Sequence, residues 1–338
     1  MRLLKNLSPR VTGMAAAVVT VVIWTSFIVI ARATADPSRG GVLTPFDIAL
    51  ARLLGAGAVL LPVGWWLVRR DRARNVGASS LFGFSPLSLR VTWSVGLFGG
   101  LLYAVLAYSG FVYAPAGHAS VLLPGTLPLW TALLALLVLG TRITAARALG
   151  LFLILVGGAV VGGSSLVRAF DGGEVWKGDL LFMAAALSWS TYSVLARRYA
   201  LEAVRATAAI TVLAFFVYVP VYTGLLVAGL VQGQFFQAPW RDVVFQMLFQ
   251  GVGSVVISGI SFTRMIQYYG PVRSTMITAV VPGLSALAAV VFLGEPMGWS
   301  LLFGLLLVTA GIVFGVRALA PPVVVVANAQ SAQSARVG

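Results

Sequence analysis

Few side chains in this sequence could make or break a covalent bond. There is no cysteine and only one histidine, His118. Thiolate nucleophiles, thiolate metal sites and a His-Glu-x-x-His zinc motif are therefore excluded. His118 and Ser120 stand at i and i+2 and point to different faces of a helix, so they do not form a hydrolytic dyad. What remains is equipment for holding charge and enclosing an apolar body. Arg52 can attract an anionic group. His118 and Asp47 are the groups placed to take up and release a proton, the coupling candidates. Trp24 and Phe27, and again Trp189 and Tyr192, are spaced i,i+3 and share a helix face. With Tyr103 and Tyr108 they offer flat apolar walls whose N–H and O–H tips need partners. No residue pattern calls for a cofactor or a metal.

The elements that must position these residues are membrane helices. The chain is 59% hydrophobic and 9% charged, against ~25% charged in ordinary soluble domains. Ten apolar stretches fill it, at about 12–33, 45–68, 92–113, 117–139, 148–167, 179–196, 206–231, 243–267, 272–293 and 299–319. Each approaches the ~20 residues that cross a bilayer. The expectation is an all-α polytopic membrane protein with ten transmembrane helices. The first stretch has a basic start and small-residue sites like a signal peptide, but its apolar core is longer than the ~7–15 residues of a signal h-region. It reads as a retained helix. The tail 321–338 is poor in residues that pack and reads as disordered.

The net charge of +14 does not call for nucleic acid, because the basic residues sit in the gaps between apolar runs, where a lipid surface is their partner. With the N-terminus cytoplasmic, sixteen Lys and Arg fall on the cytoplasmic side and five opposite, leaving only Arg52 and Arg264 inside spans. The positive-inside rule therefore predicts both termini in the cytoplasm of a multi-pass protein of the cytoplasmic (inner) membrane. A second copy of the chain is a further candidate partner, beside the bilayer and a small molecule.

Landmarks recur between the two halves. Pro128 is followed twelve residues on by Gly140, and Pro282 at the same distance by Gly294. Trp24-Thr25-Ser26-Phe27 in the first span is echoed five spans later by Trp189-Ser190-Thr191-Tyr192. Residues 1–170 and 171–320 thus read as two five-helix repeats. Five is odd, so the second half must enter the membrane inverted.

These landmarks carry a resemblance. The chain is similar to the EamA-type ten-helix transporters of the drug/metabolite transporter superfamily, across both halves. Trp24 to Phe27 is similar to the family's W-G-x-x-F. Arg52, after Thr44-Pro45, stands where the family commonly has an arginine. Pro128 with Gly140, and Pro282 with Gly294-Glu295, resemble the proline and closing G-E pair of helices four and nine. Gly178-Asp179 with Ala184 to Tyr192 resembles the opening of the second repeat. Thr25 and Thr141 depart from the family's glycine and first-half glutamate. The resemblance implies secondary transport of a small metabolite or drug, usually export of amino acids or related compounds. It does not fix the substrate.

The expected pathway is a central cavity shaped by Trp24, Phe27, Arg52, Tyr103, Tyr108, Trp189, Tyr192 and Ser258, with Pro128 and Pro282 freeing carbonyls where helices bend. Two readings of Arg52 compete, a charge in the pathway and a structural clamp or snorkelling side chain. A channel or a structural membrane protein is the alternative, but no polar filter or charged ring is visible. A membrane-embedded enzyme lacks paired buried carboxylates.

Overall fold

In the computed structural model, residues 9–35, 42–74, 80–114, 116–168, 173–294 and 298–317 are described. The tail, the prolines at 115 and 296 and Glu295 lie outside them. The described residues form ten helical crossings and no strand. They are α1 (Pro9–Ala35), α2 (Pro45–Ala73), α3 (Leu89–Tyr113), α4 in two pieces (Ala116–Leu122 and Leu127–Leu139), α5 (Ala145–Arg168), α6 (Val175–Arg198), α7 (Ala203–Val227), α8 (Trp240–Tyr269), α9 in two pieces (Pro271–Thr278 and Val281–Leu293), and α10 (Trp299–Arg317). Eight are long and apolar enough to cross a membrane. α5 and α10 contain shorter apolar stretches, Ala145–Val160 and Leu302–Gly315.

The local signals explain the helix ends. α2 starts at a capping box. Thr44 Oγ1 accepts from the Asp47 amide, the Asp47 carboxylate accepts from the Thr44 amide, and Pro45 occupies the first turn, where its missing N–H costs nothing. At its other end α2 runs past the sequence boundary at 68 to Ala73, so its last turn projects beyond the apolar run. α4 and α9 both stop on a left-handed glycine, Gly140 at φ 65° and Gly294 at φ 64°, which satisfies orphan carbonyls without a Cβ clash.

The helices pack as two interlocked halves. α1 lies against α8 and α9 of the second half, and its counterpart α6 lies against α3 and α4 of the first. α2 packs on α8 as α7 packs on α3. This exchange of equivalent neighbours is what an inverted repeat produces. The third helix of each half also carries a π-helical stretch, Leu97–Leu101 in α3 and Met247–Ile257 in α8. Such widened turns cluster at functional sites, and no sequence pattern announced them.

Small residues set the closest crossings. A Cβ on Gly150 would lie 2.5 Å from the Gly311 carbonyl oxygen, and one on Gly311 the same distance from that of Gly150. These glycines let α5 and α10 touch backbone to backbone, the device by which membrane helices associate without a hydrophobic drive.

Candidate functional site

Arg52 is the centre of the site. It sits two turns into α2 and is buried. Its Nη1 donates to Ser254 Oγ on α8 at 3.1 Å, and its guanidinium lies 5.8 Å from the Phe27 ring centroid. It forms no ion pair with Asp47, five residues earlier on the same helix. Asp47 is instead spent on structure. Its carboxylate accepts from the Thr44 amide and hydroxyl, the Gln234 amide and Tyr222 Oη, at 2.8–3.0 Å. It thereby ties the start of α2 to α7 and the α7–α8 connection.

A ring cluster walls the other side. Trp189 on α6 meets Trp24 edge-on at 5.9 Å, Tyr103 at 5.0 Å, Tyr192 at 5.2 Å and Phe262 at 5.6 Å between centroids. Hydroxyls hold the rings in place. Trp24 Nε1 donates to Ser258 Oγ at 3.1 Å, and Tyr192 Oη bonds Thr263 Oγ1 at 2.5 Å. Ser258 in turn donates to the Ser254 carbonyl at 2.6 Å, so Arg52 and Trp24 are oriented by two serines one turn apart on α8. Thr131 and Ser190 bond each other at 3.0 Å and fasten α4 to α6 behind the site.

Two small cavities flank the guanidinium and share Arg52, Tyr103, Trp189 and Ser254 as walls. One adds Trp24, Phe27, Phe111, Pro124 and Val281; the other adds Tyr192, Thr207 and Thr211. Each holds about 30 Å³, room for a water and too little for a metabolite, whose sites run to ~300 Å³ or more. The centre is occluded in the sense that neither cavity has room for a substrate. A larger space of about 650 Å³ lies between α2, α7 and Met247, and Leu54, Leu61, Pro62, Trp65, Phe84 and Phe215 line it without a charged or hydroxyl side chain. It is a groove on the apolar flank.

Of the residues singled out from sequence, Trp24, Phe27, Arg52, Tyr103, Trp189 and Tyr192 come together on these walls. Ser258 stands one layer behind, holding Trp24. Tyr108 lines neither cavity; it packs with Tyr218 and Tyr222, and its buried hydroxyl lies close enough to Arg52 for the two to interact. Pro128 and Pro282 do not kink continuous helices. Each sits in the first turn of a restarted half-helix, a position that proline suits. The break in α4 lies against the break in α9, a Cβ on Gly125 falling 3.5 Å from Pro282 Cγ. Residues from both breaks, Leu123, Pro124 and Val281, line the first cavity. Sequence reasoning missed Ser254 as the partner of Arg52, because with Gly251, Ser258 and Gly259 it forms a run of small residues that suits close helix packing equally well.

His118 lies near the end of the bundle that also holds Asp47. Its Nδ1 is 2.8 Å from Asp179 Oδ1 on α6. Gly178 makes that approach feasible, since a Cβ there would lie 2.5 Å from Ala114 Cβ. At the opposite end Arg205 grips Asp71 through both guanidinium nitrogens, at 2.5 and 2.8 Å, and also donates to the Pro86 carbonyl at 3.2 Å. The hydrogen bond from Arg205 holds the Asp71 carboxyl below its usual range.

Ten helices in two exchanged halves around an occluded polar centre define a membrane transporter architecture. The model of the EamA-like transporter family matches residues 11–163 and again 176–317. The chain belongs to that family. A curated relative, the uncharacterized transporter YvbV of Bacillus subtilis (strain 168), is 26% identical over 234 residues, covering 67% of this chain and 72% of that protein. A solved crystal structure superposes with a TM-score of 0.60 at 23% identity over 92% of this chain and all of its own, a likeness of fold.

Proposed function

We propose that this protein is a secondary transporter that exports a small metabolite or drug across the cytoplasmic membrane by alternating access. The observation that carries this reading is the occluded centre. Both halves contribute to its walls, both broken helices meet beside it, and it contains a buried arginine. The basic asymmetry of the gaps supports cytoplasmic termini. That orientation puts the His118–Asp179 pair near the outer face and the Asp71–Arg205 pair near the inner one. Rocking of one half against the other would then open the centre to each side in turn. Outward direction and metabolite class follow what members of the family usually do.

The test is metabolite profiling of the medium around cells that overproduce the wild-type protein or Arg52→Ala at equal membrane levels. A compound enriched outside only with the wild type supports the reading. Identical profiles, with both proteins folded in the membrane, refute it. If the variant is lost from the membrane, Trp189→Ala replaces it, since that change removes a cavity wall and no charge.

A further inference from the structure

The balance of charge around Arg52 narrows the substrate, given that the occluded centre is the transport site. Arg52 is the one charged residue on the walls of the two central cavities. Every carboxylate that touches the bundle interior among the described residues is committed elsewhere. Asp47 caps α2, Asp71 pairs with Arg205, and Asp179 pairs with His118. Glu174 pairs with Lys177 and Glu202 caps α7, both at helix ends. A guanidinium inside a membrane protein without an anion is costly, ~2.5–3.5 kcal/mol even on the mildest scales, and the hydroxyl of Ser254 supplies no charge.

A second observation points the same way. The restarted halves of α4 and α9 are each 13 residues long. Val281, the first residue of one, and Pro124, just before the other, line the cavity beside Arg52. The first turn of the restarted α9 half, the positive end of its dipole, thus borders the same space, while Pro124 belongs to the break that follows Leu122. Trp189 Nε1 on the cavity wall is a further buried donor with no partner.

We infer that the site takes an organic monoanion with a flat apolar body and no cationic group. One guanidinium neutralises one negative charge. Trp24, Phe27, Tyr103 and Trp189 supply faces for a ring or short hydrocarbon. An ammonium on the same ligand would be stripped of water and meet rings and an arginine, with no carboxylate to receive it. A zwitterionic amino acid and an amine therefore fit worse than a simple carboxylate of the same shape.

Three indole probes separate these cases by charge alone: indole-3-propionate has only the carboxylate, L-tryptophan has both groups, and tryptamine has only the ammonium. Each is added to the purified full chain in detergent, and the heating midpoint for loss of monodisperse protein is read by size exclusion. Indole-3-propionate should raise the midpoint by about 2 °C at roughly tenfold over its dissociation constant, tryptophan should raise it less and tryptamine not at all. The shift should vanish in Arg52→Gln and persist in Arg52→Lys. Equal or larger shifts with tryptophan or tryptamine, no shift with any probe, or a shift that survives Arg52→Gln would overturn the inference. Should Arg52→Gln not fold, the wild-type ranking decides by itself. Failure here is distinct from failure of the transporter reading. An exported metabolite that carries an ammonium would sink the substrate class and leave transport standing, whereas binding without any Arg52-dependent export would do the reverse.

Discussion

Gly55→Ala tests whether the α2–α8 crossing holds the site together. A Cβ on Gly55 would stand 2.0 Å from the Met247 carbonyl oxygen, 2.7 Å from its carbon and 2.8 Å from its Cα, all backbone atoms that no rotamer change can move aside. Real Cβ atoms essentially never come within 3.0 Å of such neighbours, so the two helices must part by about 1 Å. The same crossing is tight from the other side, where a Cβ on Gly251 would lie 2.8 Å from the Arg52 carbonyl oxygen. Arg52 therefore moves with the crossing, and its 3.1 Å bond to Ser254 passes beyond the ~3.5 Å at which a hydrogen bond is lost. Overpacking costs about 1–3 kcal/mol and a hydrogen bond to a charged group about 1.5–3 kcal/mol. The better helix propensity of alanine returns about 1 kcal/mol. The net loss is roughly 1.5–5 kcal/mol, or about 2–7 °C in the heating midpoint of the purified protein, together with loss of export. Gly224→Ala on α7 is the control, because nothing lies within 4 Å of its Cβ position, and it should leave export unchanged and the midpoint no lower than that of the wild type. A Gly55→Ala protein that melts within about 1 °C of wild type and still transports would refute the argument that this close crossing sets the geometry of Arg52.

The remaining expectations are simpler. A double-mutant cycle on Asp71→Asn and Arg205→Gln should give a coupling of about 1–2 kcal/mol, between exposed and buried pairs, since the side chains are 20% and 30% exposed; independent effects would sink the pair as an inner tie. Because the folded Asp71 carboxyl is held below its ordinary value, that contribution is full at neutral pH and disappears only as acid carries the pH below about 4 and through the folded value. His118→Gln should keep the fold yet abolish the part of metabolite flux driven by a pH gradient, while exchange at equal pH persists; gradient-driven flux of normal size would leave the His118–Asp179 contact a structural latch. Reporter fusions after Gly40, Asp71, Gly172 and Val204 should read outside, inside, outside and inside, and an external N-terminus would overturn the orientation.

The crossings were legible because a bilayer imposes one pattern on sequence, a long apolar run between basic gaps, and that pattern does not depend on which helix packs on which. Pro128 with Gly140 and Pro282 with Gly294 were legible as a repeat for a related reason: a helix restart and a left-handed stop each demand one residue type. The same prolines misled about local shape. A proline within an apolar run is compatible with a kink or with the first turn of a new helix, and only the observed breaks at residues 123–126 and 279–280 separate the two. The π-helical stretches left no trace, because widening a turn changes hydrogen-bond register without requiring a particular side chain.

Trp24, Phe27, Arg52 and Trp189 were found because each type is expensive or bulky wherever it is placed in a membrane. Ser254 was not, since a serine on a small-residue stripe looks the same whether it makes room for a neighbouring helix or orients a guanidinium. Asp47 shows the converse. It is the carboxylate nearest to Arg52 in sequence, yet a capping box competes for the same oxygens, and Thr44, Tyr222 and Gln234 satisfy them. That competition has a consequence for the site. A carboxylate already holding four donors gains little by turning to a fifth, so Arg52 is left inside the bundle with a serine, a ring face and one helix N-terminus. The scarcity of acidic residues that makes the basic gaps easy to read is also what leaves the centre positive and open to an anion.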